Sequence, residues 1–313
     1  MTETFLRHSG LDDMRYFGLP RPICVRQMLL VYCVLCVDSD AVNEFHLAVM
    51  QLDCRKVVYL LRNADKLSDT VNSRDRSLRT ATMLIARRRP TDRRFRSHVG
   101  RSMLDILLEA GAQLDLVDSA GNTALMHAVL SASADIVDWL LEAGSDARLA
   151  NHIGVTPLWQ SVFDMTSRRK YDQWPIIRRL LLADCAADRK CRGPLLFAYG
   201  MEYVYCYEEP VSAFDVAVDG GCQSTARLLV GAGCSSSTSL MMSTTTNQDS
   251  SVTVTWLDDL LAESRSLQQL CRLVIRRRAG LRLETVVASL CLPAQLKSFL
   301  LLDNIPQPSH CST

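Results

Sequence analysis

Few residues in this chain have the types and spacing that chemistry requires. Cys33 and Cys36 form a C-x-x-C, a spacing that can hold zinc or cycle as a dithiol. No second ligand pair stands at finger-like distance, so the two read as small apolar core residues of the run Met28 to Val37. Arg87, Arg88, Arg89, Arg93, Arg94 and Arg96 crowd ten positions and can engage an acidic protein segment or phosphates. Arg93, Arg94 and Arg96 are the candidate target contacts, although a solvated insertion loop is the plainer reading. The flanking sequence lacks the basic and aromatic interleaving that nucleic-acid binding uses. Phe197, Tyr199, Tyr203, Tyr205 and Tyr207 suit either a recognition loop or the packing of an irregular element. No Gly-rich phosphate loop, no paired zinc-ligand motif, and no Ser or Cys beside a plausible base appears, so neither a catalytic residue nor a metal or cofactor site is expected.

Cys271 is a packing residue by its position. Leu267, Leu270, Cys271, Val274 and Ile275 follow i, i+3, i+4, i+7, i+8, which places them on one stripe of an amphipathic helix. Ser266 with Gln269 three residues on forms a capping box that opens the helix, and Gly280 can close it. Arg272, Arg276, Arg277 and Arg278 mostly fall off the stripe, the last three where cations suit the C-terminal dipole. A second helix can run from Leu283 to Leu290. Pro293 is placed to start a third, with Leu296, Phe299 and Leu300 on its apolar face. Three helices this short bury too little surface to offset their ordering entropy, so part of their apolar surface must be covered by other residues of this chain or by another chain.

These residues resemble the SOCS box. Ser266, Leu267, Cys271 and Ile275 match its Elongin-binding half, and Leu290-Cys291-Leu292-Pro293 with Leu296-Lys297-Ser298-Phe299-Leu300 its cullin-5-binding half. Cys291 stands where that family usually has the first proline of Leu-Pro-x-Pro. The resemblance implies that Leu267, Leu270, Cys271, Val274 and Ile275 contact Elongin C. It implies that Leu290, Leu292, Pro293, Leu296, Phe299 and Leu300 face cullin-5 or the box core. The partners expected from it are Elongin C, Elongin B, and cullin-5 with its RING subunit.

Upstream, a repeat organises the chain. Leu107-Leu108-Glu109-Ala110-Gly111 returns 33 residues later as Leu140-Leu141-Glu142-Ala143-Gly144. Asp118 to Leu125 returns at the same offset as Asn151 to Leu158. Period and words resemble the ankyrin repeat. Thr123 and Thr156 can cap inner helices, Pro157 can take a first helical position, and Gly111 and Gly144 can close outer helices with φ > 0. In that family His46 and His127 would bridge backbone groups of adjacent turns. Weaker copies surround the two clear ones.

The expected fold is therefore all-α: an ankyrin-repeat solenoid followed by a three-helix SOCS box. Residues 1–42 form an N-terminal capping segment, and 43–234 about five repeats with insertions near 87–101, 164–175 and 190–210. Residues 235–255 are a Ser/Thr-rich linker, 256–304 the box with Trp256 as its anchor, and 305–313 a tail. The 313 residues are 48% hydrophobic and 22% charged, with a formal net charge of +1, which gives no global pull toward nucleic acid or membrane. The ten-residue run Met28 to Val37 is about half the roughly 20 residues a membrane span needs. Twelve scattered cysteines, and no evident leader at Met1-Thr2-Glu3-Thr4, point to a reducing cytosolic or nuclear compartment. The expected function is a non-catalytic substrate-recognition subunit of an Elongin–cullin-5 ubiquitin ligase, whose repeats hold a protein target. The alternative is an ankyrin scaffold that assembles no ligase.

Overall fold

Each of the three described turns between repeats is built by one acidic or amide side chain that folds the backbone over itself. Asp75 accepts from the amides of Ser77 and Arg79 at 2.8 Å, Asp118 from Ala120 and Asn122 at 2.9 and 2.8 Å, and Asn151 from Ile153 and Val155 at 3.2 and 3.0 Å. These Asx turns satisfy amides that no helix pairs. Adjacent turn tips join edge to edge, Ser119 N–H to the Ser77 carbonyl and His152 N–H to the Ala120 carbonyl. The computed structural model describes residues 44–88, 99–167, 172–183, 190, 211–234, 266–279 and 283–305.

Among these residues are fourteen helices and no extended strand. They are α1 (Glu44–Met50), α2 (Cys54–Arg62), α3 (Leu67–Val71), α4 (Ala81–Ala86), α5 (Val99–Glu109), α6 (Ala124–Leu130) and α7 (Ala134–Glu142). Then come α8 (Pro157–Ser167), α9 (Gln173–Leu182), α10 (Ala213–Asp219), α11 (Gln223–Ala232), α12 (Leu267–Ala279), α13 (Leu283–Ser289) and α14 (Ala294–Leu300).

The helices pair as α1/α2, α4/α5, α6/α7, α8/α9 and α10/α11. The inner members α1, α4, α6, α8 and α10 stack in sequence order. Their starts are fixed as the repeat words require. Thr123 Oγ1 accepts the Met126 amide and Thr156 Oγ1 the Trp159 amide, both at 3.3 Å, and Pro157 is the first residue of α8. Gly111 and Gly144 adopt φ of +88° and +94° where the outer helices end. No single pair can bury Leu107, Leu125, Ile136, Val137 and Leu140; the stack buries all of them.

Two expected insertions are narrower than the sequence suggested. Helix α8 continues through Asp164 to Ser167, and Val99 to Arg101 already belongs to α5. Residues 1–42, 235–255 with 256–265, the aromatic stretch 197–207, Cys33 and Cys36 all lie outside the described residues, as do Gly280 and the tail from 306.

The last three helices contact one another and dock on the end of the stack, α12 against α11. Leu283, Val287 and Leu300 share a small core with Leu182 at the end of α9. All the described residues belong to one compact unit.

Candidate functional site

Helix α12 has two faces of opposite character, and the charged one is inside. The apolar stripe faces out: Leu267 is 76% exposed, Leu270 51%, Val274 58% and Ile275 38%, with Cys271 exposed among them. A contiguous aliphatic ridge of this kind marks a surface that another molecule covers. The inward face carries Arg272 and Arg276 in place of aliphatic residues, both buried. These two arginines therefore do not form a solvated edge, while Arg278 does remain exposed.

Arg276 is buried because it ties two helix ends together. Its Nη2 donates to the Leu181 carbonyl at 2.9 Å and its Nη1 to the Leu300 carbonyl at 3.1 Å, satisfying C-terminal acceptors of α9 and α14. Arg272, only 1% exposed, lays its guanidinium 3.5 Å from the centroid of Phe299 and donates from Nη2 to Asn304 Oδ1 at 3.4 Å. Its Nε and Nη1 find no acceptor among the described residues. Burial, and then the neighbouring Arg276 charge, pull its pKa down to about 10.

The docking surface on α11 is cut to receive this face. A Cβ on Gly231 would meet Arg272 Nη1 at 2.8 Å and Leu302 at 3.1 Å. One on Gly233, at φ +101°, would meet Leu273 at 2.7 Å. Around the rim, Arg179 pairs with Asp138 at 3.1 Å and Glu284 at 3.0 Å, and Arg178 with Asp303. With Arg272 and Arg276 held inward by α9, α11 and α14, α12 turns its aliphatic ridge to solvent.

The second expected contact surface splits in the structure. Leu290, Cys291, Pro293 and Leu296 are exposed around the start of α14. Leu292 is half-buried against the box core, and Phe299 half-buried beneath Arg272. Leu300 lies in the core with Leu182, Leu283 and Val287, out of reach of any partner. Pro293 stands at the cap, one residue before α14 begins.

At α12's start the capping box forms by half. The Gln269 amide donates to Ser266 Oγ at 3.3 Å, while Gln269 Oε1 is buried with no partner among the described residues.

The two histidines of the repeats differ. His46 donates from Nε2 to the Ser73 carbonyl at 3.1 Å, bridging to the next turn as expected. His127 does not bridge backbone groups: its Nε2 lies 2.9 Å from Asp118 Oδ2. It sits one position further along its helix than His46, so it points at the carboxylate that shapes its own turn, and Met126 occupies the matching place. Burial pushes the Asp118 carboxyl up, but hydrogen bonds from His127 and from the Asn122 and Ala120 amides outweigh it and hold the group below the usual carboxylate range.

Arg93, Arg94 and Arg96 lie outside the described residues. Among the described residues no group of three or more His, Cys, Asp or Glu is placed to hold a metal ion, and no helix is long and apolar enough to cross a membrane. The sequence signal for the buried arginines was present: a ridge complete at 267, 270, 271, 274 and 275 leaves 272, 273, 276 and 279 as the side that must dock.

Comparison with known families agrees with this architecture. The ankyrin repeats family (3 copies) matches residues 45–151 and the SOCS box family matches residues 263–301. No curated protein sequence matches the chain. The chain carries ankyrin repeats and a SOCS box. Both parts are adaptor domains, and together they make a protein-interaction adaptor of the SOCS-box ubiquitin-ligase type.

Proposed function

We propose that this protein is the substrate-recognition subunit of a ligase built on Elongin B, Elongin C and cullin-5 with its RING subunit. The observation that carries the proposal is the ridge of α12, whose five residues are all left exposed. In this reading the ridge seats in Elongin C, and burying each of Leu267, Leu270, Val274 and Ile275 contributes on the order of 1.5–3 kcal/mol. Cys271, small and apolar, fills the middle of the ridge. Leu290, Pro293 and Leu296 contact the cullin, with Cys291 between them where the family usually places proline; Leu292, Phe299 and Leu300 shape that surface from beneath. The repeats hold a protein target. Catalysis belongs to the partners, and this subunit raises the effective concentration of target beside the ubiquitin-charged enzyme.

The test is co-purification of Elongins B and C with the full chain carrying Leu267→Asp and Cys271→Arg. Both side chains point to solvent, so the variant keeps its fold and its melting profile, and Elongin capture is abolished. Undiminished capture removes the proposal and leaves a repeat scaffold that assembles no ligase.

A further inference from the structure

The inner helices differ in how much of themselves they leave open. On α8 every side chain from Pro157 to Met165 is buried. On α1, Glu44 and Leu47 are exposed and Met50 half-buried; α4 leaves Leu84 partly open, followed by Arg87 and Arg88; α6 leaves Leu130, followed by Ser131. These are matched positions. The seventh residue after the one preceding each helix is Met50, Arg87, Leu130 and Phe163, and the eighth is Gln51, Arg88, Ser131 and Asp164. Only the α8 pair is closed: Phe163 stacks on Trp159 with ring centroids 5.3 Å apart, and Asp164 accepts from Gln160 Nε2 at 2.9 Å. The cause is length, since α8 runs 11 residues against 7 in α1 and α6 and 6 in α4. Its extra turn encloses positions that end the other helices.

The closed α8 therefore divides the open positions: Asp219 and Gly220 at the end of α10 are exposed on its far side, and on the near side the open face belongs to α1, α4 and α6, where its chemistry is aliphatic and basic. Ser131 Oγ donates to the Ala86 carbonyl at 2.8 Å and Ser133 Oγ to the Arg88 carbonyl at 2.9 Å, which holds the ends of α4 and α6 together and fixes the backbone that carries the two arginines. At the other end of α4, Arg76 and Leu78 are exposed on the turn. Glu44, the acid of the α1 stripe, is tied to Lys56 at 3.0 Å. In a chain whose formal net charge is +1, a face with this local bias is complementary to an acidic partner.

We propose that the target docks on the face of α1, α4 and α6 through a segment of acidic and aliphatic side chains, the aliphatics over Leu47, Leu84 and Leu130 and the acids over Arg87 and Arg88. This rests on the adaptor reading above and adds the chemistry of the target to it.

A displayed random-peptide library panned against the full chain tests the proposal. Selected peptides are expected to be enriched in Asp and Glu beside aliphatic residues, and to bind Arg87→Glu/Arg88→Glu at least about tenfold more weakly. Asp219→Arg, at the matching seventh position of α10, leaves their affinity unchanged. Arg87→Gln/Arg88→Gln stands in if the charge reversal disturbs folding, with a smaller loss in the same direction. Peptides without acidic enrichment, or acidic peptides indifferent to both arginine variants, overturn the proposal. So does a single-stranded oligonucleotide that binds through these arginines when no acidic peptide is selected. Elongin capture is read on the same preparations. Its absence beside intact peptide binding removes the ligase reading alone, and the reverse removes this one alone.

Discussion

His46, Met83, Met126 and Trp159 occupy one position in four successive inner helices, and all are buried. Only the first titrates in the physiological range. Burial pushes the His46 imidazole below the ordinary histidine value, more than its bond to Ser73 and the nearby Asp75 raise it. The unfolded chain takes up this proton near pH 6.5 while the folded chain resists it, so the unfolded state binds more protons below that pH and stability falls on acidification. Thermal unfolding between pH 5 and 8 is expected to show a loss below about pH 6.5 that shrinks in His46→Gln, whose amide can still reach the Ser73 carbonyl. Equal slopes in the two proteins exclude His46 as the source. The role of His46 was readable from the word Phe45-His46-Leu47-Ala48. That of His127 was not, because a shift of one residue on a helix turns a side chain by about 100° and changes its partner.

At the scale of the element, α12 shows how far an amphipathic pattern carries. Its existence, its Ser266 start and the five residues of its stripe were legible, since local spacing alone decides them. What the opposite face docks against was not, because that depends on Leu181, Gly231, Gly233 and Phe299, distant in sequence and brought together by the stack. Leu300 entered the core for the same reason, as the partner of Leu182. Arg272 carries a cost within this arrangement. A buried guanidinium with two nitrogens unmatched among the described residues loses more hydration than one aromatic face and one long hydrogen bond restore. Arg272→Met keeps the volume and adds a sulfur–aromatic contact with Phe299. It is expected to raise stability by on the order of 1 kcal/mol, seen as a higher unfolding midpoint, without touching Elongin capture. A lower midpoint shows that the cation itself holds α12 in place.

For the molecule as a whole, the ridge and the open inner-helix face are parts of one compact unit. The glycine cradle on α11, the Arg276 bonds to Leu181 and Leu300, and the pairs of Arg178 and Arg179 fasten the last three helices to the stack. Repeat period and box words made this order legible from sequence. The closing of α8 was not, because Asp164 to Ser167 read as an insertion until the stack gave that extra turn a surface to cover. Cys271 offers the most direct measurement of whether α12's outer face is where the ligase attaches, since its thiol lies exposed in the middle of the ridge, and Cys291 is exposed on the second surface. Maleimide labelling of the full chain, mapped by peptide mass, is compared with and without the Elongin B and C pair. The expected result is that the pair shields Cys271 while Cys291 labels as in the free chain, and that adding cullin-5 then shields Cys291. Labelling of Cys271 at the same rate in a confirmed complex contradicts the assignment of α12 as the docking helix.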